Sequence, residues 1–347
     1  MKSIYDLNYE QMEQMVLDKG WKKYRGNQIF QWLYRKRVSS FEEMSDISLS
    51  MKEELEKDFL AKPLKKLSCQ IAQDGTRKYL FELADGSSVE TVLMIYNYGK
   101  CVCVTSQVGC NMGCKFCASG LLKKQRDLTS GEMVQQILEV QKDLDETGDR
   151  VSHIVIMGTG EPFDNYDNVL NFCRTVNHDR GLGIGARHIT ISTCGLAPQI
   201  RRFADEQTQF NLAISLHAPN DELRNEIMPI NKAYPLSELM DALRYYASIN
   251  NRRLGFEYIL LKGKNDTDAC AKQLAQLTRG FDVFVNLIPY NQVDEHGFQT
   301  VDDKGAMIFY DKLMKLGVRC TLRQKHGVDI DAACGQLRAK YERSKSK

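Results

Sequence analysis

One stretch constrains this chain more than any other: Cys110-Asn111-Met112-Gly113-Cys114-Lys115-Phe116-Cys117. Its cysteines follow the spacing C-x3-C-x2-C, so a single loop can offer three thiolates to one metal centre. A [4Fe–4S] cluster is usually held by four cysteines, and three leave one iron open to a small chelating molecule. Gly113 helps the loop bend close to the metal, because glycine tolerates φ > 0. Zinc fits this pattern less well. A structural zinc site wants four ligands, commonly two Cys pairs or a Cys pair with a His pair. No Cys or His follows within twenty residues of Cys117, and the upstream Cys101 and Cys103 fall on a strand pattern.

The totals leave room for such a site in an ordinary globular protein. A length of 347 residues suits one large domain plus a small one. Lys+Arg is 47 against Asp+Glu 45, so overall charge carries no signal for nucleic acid and only a local basic patch could. No run of 18 apolar residues occurs, and no membrane span is expected. The polar N-terminus does not read as a signal peptide. Eleven cysteines without a secretion signal are expected in a reducing cytoplasm, as metal ligands, redox-active thiols or small buried hydrophobes.

Periodicity divides the chain. Residues 1–62 read as a small helical domain, with helices over Tyr9–Asp18, Asn27–Arg37 and from Ser48–Ser50 through Phe59. Lys19, Lys22, Lys23, Arg25, Arg35, Lys36 and Arg37 cluster there. Such runs are most often a solvated face, and with exposed aromatics they also suit an RNA-binding arm. Residues 63–99 read as an antiparallel β extension: Leu67–Gln73, Lys78–Leu83 and Val89–Tyr96, turning at Asp74-Gly75 and Ala84-Asp85-Gly86-Ser87.

Over residues 100–338 strands and helices alternate. The strands are Cys101–Thr105, His153–Met157, His188–Ser192, Asn211–His217, Leu254–Leu261, Asp282–Ile288 and Val318–Arg323. The helices fall near Ser130–Asp145, Asn165–Asn177, Ala197–Asp205, Leu236–Ile249, Asp266–Thr278 and Asp303–Leu316. Alternation of this kind implies an α/β fold, parallel strands with helices outside, in a full or partial barrel. Residues 339–347 form a polar tail. Active residues of such a barrel belong at the C-terminal strand ends, and the cysteine loop follows the first strand.

Other strand ends carry candidates. Gly158-Thr159-Gly160-Glu161-Pro162 offers glycines where a backbone can approach a ligand and a carboxylate that can accept from an amine. Ser192, Ser215, Leu216, His217 and Asn291 end further strands. A Ser or Asn there is often just a loop residue, and His217 is equally a satisfied buried histidine. Around one open cavity, however, they form plausible ligand contacts. Of the remaining thiols, Cys69, Cys101, Cys173, Cys270 and Cys320 lie in apolar segments and read as packing, while Cys194 is open to either reading. Cys103 and Cys334 stand apart. Cys103 precedes the loop on the strand face it shares with Cys101, and Cys334 sits among small and acidic residues, so both are candidate reactive thiols.

These pieces resemble a family. The triad, with Phe116 before its last cysteine, resembles the radical S-adenosylmethionine (SAM) superfamily. Within that superfamily the chain resembles the RNA adenine methyltransferases, most closely their adenine-C2 (RlmN) branch. The likeness spans nearly the whole chain. It is carried by Val89-Glu90-Thr91-Val92, the run from Cys103 to Cys110, the triad, Gly158–Pro162, Ser215–Asn220, Met228-Pro229-Ile230-Asn231, Asn286–Pro289 and Asp329–Leu337. Thr105 departs from the usual Ser, and Thr159 stands at a variable place.

The resemblance implies a partial (β/α)6 radical SAM barrel in which Cys110, Cys114 and Cys117 hold one [4Fe–4S] cluster. The positions of Gly160, Glu161, Ser192, Ser215, Leu216, His217 and Asn291 match contacts to SAM, used twice per turnover, and Phe116 lies near its adenine. It also implies a relay. Cys334 takes a methyl group from one SAM. A radical made from a second SAM removes hydrogen from that S-methyl group, and the carbon radical adds to adenine C2. Glu90 or Cys103 takes the C2 proton, and Cys103 attacks the Cys334 sulfur to free the product through a transient disulfide. The implied substrates are an adenosine of 23S rRNA near the peptidyl-transferase centre and, in dual-specificity members, the tRNA adenosine 3′ of the anticodon. An electron donor such as flavodoxin, a monomeric state and a cytoplasmic location complete the expectation. The alternatives are C8 methylation of the Cfr type, with antibiotic resistance as the outcome, and a non-catalytic metal-containing RNA-binding protein.

Overall fold

Asn8 starts the first helix with a reciprocal cap. Its side chain accepts the Gln11 N–H at 2.8 Å, and Gln11 Oε1 accepts the Asn8 N–H at 3.0 Å. The computed structural model describes residues 2–121, 123–293, 297–324, 326–327, 329–330, 337–338 and 341. In it, α1 (Tyr9–Asp18), α2 (Tyr24–Gln31) and α3 (Leu49–Asp58) form the N-terminal module, and the short parallel strands β1 (Lys2–Ser3) and β2 (Phe59–Leu60) pair its two ends. The second helix begins earlier than its sequence pattern indicated. Past Gln31 it widens into a single looser turn over Trp32–Lys36 and stops at Arg37, whose φ is 56°.

Next come β3 (Lys65–Ile71), β4 (Arg77–Glu82), β5 (Ser88–Tyr96) and β6 (Gly99–Cys103), an antiparallel meander. Two short antiparallel strands, β7 (Gln107–Val108) and β8 (Arg126–Asp127), then pinch the two ends of the cysteine loop together. Beyond them β9 (Val151–Ile156), β10 (Ile189–Thr193), β11 (Asn211–Ser215), β12 (Leu254–Leu260), β13 (Val283–Pro289) and β14 (Cys320–Leu322) all run parallel to β6. They alternate with α4 (Ser130–Asp145), α5 (Tyr166–Asn177), α6 (Ala197–Asp205), α7 (Asp221–Ile227), α8 (Leu236–Ile249), α9 (Asp268–Thr278) and α10 (Asp303–Lys315). The sequence pattern had indicated every one of these helices except α7.

The meander and the parallel strands make one sheet, ordered β14-β13-β12-β11-β10-β9-β6-β5-β4-β3. It keeps two edges, so the barrel is partial. Alternation sorts its faces. Leu254, Phe256, Tyr258 and Leu260 of β12, with Val283, Val285 and Leu287 of β13, are buried in the core that includes the helices. Full burial of one such side chain stabilises by about 1.5–3 kcal/mol. The intervening Glu257, Asn286, Ile259 and Ile288 take the other, concave face.

The N-terminal module docks through α4. The Gly131 N–H donates to Asp6 Oδ1 at 2.9 Å, and a Cβ on Gly131 would lie 2.8 Å from the Tyr5 carbonyl carbon. Only glycine permits that approach. Tyr9 stacks on His178 with ring centres 4.0 Å apart, and Asn8 bonds Asn171 at 2.8 Å. On the module's outer side Lys22, Lys23, Tyr24, Arg35 and Lys36 are exposed, and Lys36 lies over the Trp32 ring.

Candidate active site at the strand ends

The cysteine loop is held from three sides. The Gln125 N–H bonds to Val108 O at 2.7 Å, continuing the β7–β8 pinch. The Lys124 N–H reaches Asn111 Oδ1 at 3.0 Å, and the Lys115 N–H reaches Ile227 O at 2.9 Å, tying the loop to the end of α7. Gly113 takes a φ of 69°, as its place in the bend predicted. Cys110, Cys114 and Cys117 are all half-buried and line one cavity of about 340 Å³ at the C-terminal strand ends.

The chemistry of these donors fits an iron–sulfur cluster. Burial pushes the Cys110 thiol up to about 11, aided by Cys117, and pushes Cys114 higher still, aided by Cys117 and Cys110. Buried, raised thiols such as Cys110 and Cys114 favour a bound metal, which would release their protons. Among the described residues no three His, Cys, Asp or Glu side chains converge as ligands of one ion. Three thiols around a shared cavity suit a multi-iron group, bound one iron per thiolate.

The glycine turn after β9 uses its freedom against the chain itself. A Cβ on Gly158 would lie 2.7 Å from Val104 O, and one on Gly160 would lie 2.6 Å from Gln107 Cβ. The turn therefore lies flat on the segment that leads into the cysteine loop. Ser106 and Gln107 N–H groups both reach Thr159 O, at 3.0 and 3.1 Å. Gly160 also faces the cavity. Glu161 is buried there, and its two oxygens accept the Phe163 N–H at 2.9 Å and the Cys194 N–H at 2.8 Å. Burial raises its pKa and these N–H groups oppose the rise. The carboxylate thus splices the turn after β9 to the end of β10.

The predicted ring assembles. Phe116, Gly160, Glu161, Ser192, Ser215, His217 and Asn291 line the same cavity as the three cysteines. Ser192 and Ser215 hydroxyls are 3.5 Å apart. Leu216 is fully buried and does not line the cavity; its N–H bonds to Glu257 O at 3.1 Å. His217 adopts a φ of 57°, unusual for a residue with a bulky side chain. Its Nδ1 accepts the Ile259 N–H at 3.1 Å, so the neutral ring carries its proton on Nε2, and Phe116 meets the ring edge-on at 4.8 Å.

Burial, with Arg224 nearby, lowers the His217 pKa to about 3. The unfolded chain binds that proton near pH 6.5, so this contribution is complete above pH 6.5 and is lost as pH falls toward 3. Between pH 7.5 and 5.5 His217 should cost wild-type protein on the order of 1 kcal/mol of stability. Denaturant titrations at the two pH values are expected to show that difference shrinking in His217→Gln; an unchanged difference would place His217 among ordinary exposed histidines.

Cys103 lies just behind this cavity. It pairs with Val92 across β5–β6 and packs with Val92, Met94 and Cys101 against Met157. Cys101 and Cys103 thus share one face, as their spacing required. Val92, Met94 and Met157 line the cavity in front of it. Glu90 stands two residues along β5 from Val92, on the same face. Its Oε2 lies 3.1 Å from Lys78 Nζ, and its Oε1 accepts the Arg338 N–H at 2.6 Å.

Cys334 lies outside the described residues. The chain on either side of it is moored to the antiparallel meander, at the β3–β4 turn before it and at β5 after it. Asp74 accepts the Gly327 N–H and Asp329 accepts the Gln73 N–H, both at 3.0 Å, while Arg338 bonds Glu90. Sequence reading missed Met157, Glu257 and Arg323, which also line the cavity, and Arg224 behind it. Alternation on β12 placed Glu257 on one face but did not say which face was concave.

Two family models match the chain. One, the radical SAM superfamily, covers residues 104–274; the other, the ribosomal RNA large subunit methyltransferase N-terminal domain, covers residues 2–60. A partial barrel with a three-cysteine loop at its mouth, matching that superfamily, is a radical SAM enzyme, and membership brings SAM and an iron–sulfur cluster with it. The crystal structure of a radical SAM methyltransferase from Sphaerobacter thermophilus shares the fold with a TM-score of 0.92 at 41% identity, over 97% of this chain and 99% of that one. Two proteins named probable dual-specificity RNA methyltransferase RlmN are nearer in sequence. The one from Streptococcus pneumoniae is 57% identical over 342 residues, covering 97% of this chain and 95% of its own. The one from Enterococcus faecalis is 58% identical over 344 residues, covering 98% and 96%. The chain belongs to the RlmN family of dual-specificity RNA methyltransferases.

Proposed function

We propose that this chain methylates C2 of one adenosine in 23S rRNA and of the adenosine 3′ of the anticodon in tRNAs. The observation that carries the reading is the single cavity lined by Cys110, Cys114, Cys117, Phe116 and the polar strand ends, with the Cys103 pocket behind it. In this reading the three cysteines hold one [4Fe–4S] cluster, and two molecules of SAM are used per turnover. When bound, the cluster supplies an electron, and SAM supplies both the methyl group and the radical that activates it.

The chain's own residues do the rest. Gly160, Ser192, Ser215, His217 and Asn291 orient SAM, with His217 Nε2–H as a fixed donor. Glu161 holds the turn under it, and Leu216 packs behind. Cys334 accepts the methyl group on sulfur, since a thiolate is a good nucleophile where C2 of adenine is not. After the methyl carbon has joined C2, Glu90 or Cys103 takes the C2 proton. Once the odd electron left by the radical addition has also been given up, the Cys103 thiolate attacks the Cys334 sulfur, forming the S–S bond and breaking the S–C bond; the released carbon takes a proton to complete the methyl group, and an external dithiol reduces the disulfide before the next turnover. The exposed basic and aromatic face of the N-terminal module grips structured RNA through phosphates. A flavodoxin-type donor supplies electrons, and the enzyme works as a cytoplasmic monomer.

Mass spectrometry of nucleosides tests this. Protein reconstituted without oxygen is incubated with SAM, a reductant and unmodified 23S RNA fragment or tRNA, which is then digested. 2-Methyladenosine is expected from both RNAs. 8-Methyladenosine would move the chain to the C8 chemistry, and SAM cleavage with no methylated adenosine would overturn the substrate. Zinc without sulfide in the purified protein would remove the radical mechanism altogether.

A further inference from the structure

Arg224, in the middle of α7, is 0% exposed. Its guanidinium donates to four oxygens: Leu216 O at 3.2 Å, Asn231 Oδ1 at 2.8 Å, Cys194 O at 2.7 Å and Ser215 O at 3.4 Å. None of the four is a carboxylate. Asp221 is one step removed, its Oδ1 accepting from Asn231 Nδ2 at 2.8 Å. A guanidinium taken out of water normally has a carboxylate beside it, because desolvating a lone charge is costly.

Sulfur-bearing side chains pack beside the groups this one holds. Cys194, whose carbonyl it holds, packs in one small cluster with Ala118 and Met228, against Cys114 and Phe116. The helix that carries Arg224 ends on Ile227, whose carbonyl holds the Lys115 N–H of the cysteine loop. Three thiolates and a cluster would bring net negative charge into this spot, and reduction would add one more.

We propose that Arg224 is the standing countercharge of the cluster, and that its planar fork also sets the ends of β10 and β11 against which SAM is held. This rests on the cluster reading given above. A fixed positive charge favours the more negative, reduced form, so Arg224 makes the cluster easier to reduce. The fork does a separate job, aligning the carbonyls of Cys194, Ser215 and Leu216. Arg224 is therefore a positioning residue with two separable effects, one of charge and one of shape.

The test compares Arg224→Gln, Arg224→Lys and Asp221→Asn with wild type, all reconstituted without oxygen. Two quantities are read: the cluster's midpoint potential by EPR-monitored titration without SAM, and SAM affinity by equilibrium dialysis. Arg224→Gln is expected to lower the reduced-to-oxidised ratio at fixed potential about tenfold, or about 59 mV for one electron. Arg224→Lys should keep the wild-type potential but weaken SAM binding about tenfold, since an ammonium cannot copy the fork. Asp221→Asn, which strips a nearby negative charge, should shift the potential upward. Equal shifts in Arg224→Lys and Arg224→Gln, or none in Arg224→Gln, overturn the countercharge. Should Arg224→Gln not fold, the other two variants decide: no upward shift in Asp221→Asn, or a lowered potential in Arg224→Lys, is equally fatal. Wild-type protein that binds no iron and sulfide overturns the cluster reading instead, before any variant is compared.

Discussion

The Cys103→Ala protein is expected to make its first carbon–carbon bond to RNA and then stop, holding the RNA covalently through Cys334. In the proposed relay it is the second thiol that breaks the bond between the Cys334 sulfur and the methylated base. Multiple turnover should fall by roughly a thousandfold or more, as when one member of a catalytic unit is removed. A denaturing gel should show protein shifted by bound RNA, and nuclease digestion followed by mass spectrometry should find an adenosine adduct on the Cys334 peptide. The structure supplies a control two residues away. Cys101 is buried on the same strand face, and burial pushes its thiol up to about 12. Cys101→Ala should turn over normally. Free methylated adenosine released by Cys103→Ala at the wild-type rate would remove Cys103 from the mechanism.

The second large effect is one of stability. Lys78 is 0% exposed and Glu90 is 4% exposed, and they lie 3.1 Å apart. Removing one partner of a buried ion pair leaves the other charge desolvated, at a cost of about 3–5 kcal/mol. Glu90→Ala should lose that much in denaturant unfolding, and it also deprives the Arg338 N–H of its acceptor. Glu90→Gln keeps an acceptor for that N–H and should lose less. Replacing both partners together, as Lys78→Met with Glu90→Leu, should be closer to wild type than Glu90→Ala. The comparison also separates two roles. If Glu90 takes the C2 proton, the glutamine variant loses activity while remaining folded. If it only moors Arg338, activity survives there and fails with stability in Glu90→Ala. An unfolding midpoint for Glu90→Ala equal to wild type would show that the pair does not hold the fold.

What could be read from the sequence was whatever local spacing decides. The cysteine triad, the glycine turn after β9 and the polar strand ends each declare themselves within a few residues. The alternation of strands and helices placed them at the mouth of a barrel. The features that escaped depend on contacts far apart in the chain. Arg224 lies in Asp221-Glu222-Leu223-Arg224-Asn225-Glu226, which reads as a solvated charged stretch, and only folding reveals that its side chain turns inward. The helix around it has seven residues, too few for a periodic pattern to stand out. Lys78 looked like an ordinary strand charge, and Glu90 stood out only as a candidate base. Their pairing needed the β4–β5 register, in which Lys78 faces Val92 and Leu80 faces Glu90. The glycines at 158 and 160 were singled out for approach to a ligand, and the backbone they are seen to bring close is their own chain's.

The moorings at Asp329 and Arg338 have one more consequence. At about 3.3–3.6 Å per residue, Cys334 stays within roughly 18 Å of the first and 14 Å of the second, whatever path the chain takes. The first mooring is to the turn between β3 and β4, and the second is to β5, the strand beside the one that carries Cys103. In the proposed relay the bound on Cys334 acts as a short leash, and a leash of this length corresponds to an effective concentration of about a millimolar or more. Free thiols in the surrounding solution must compete with a neighbour that never leaves. In the proposed relay, that advantage lets a sulfur–sulfur bond form once per turnover against competing thiols.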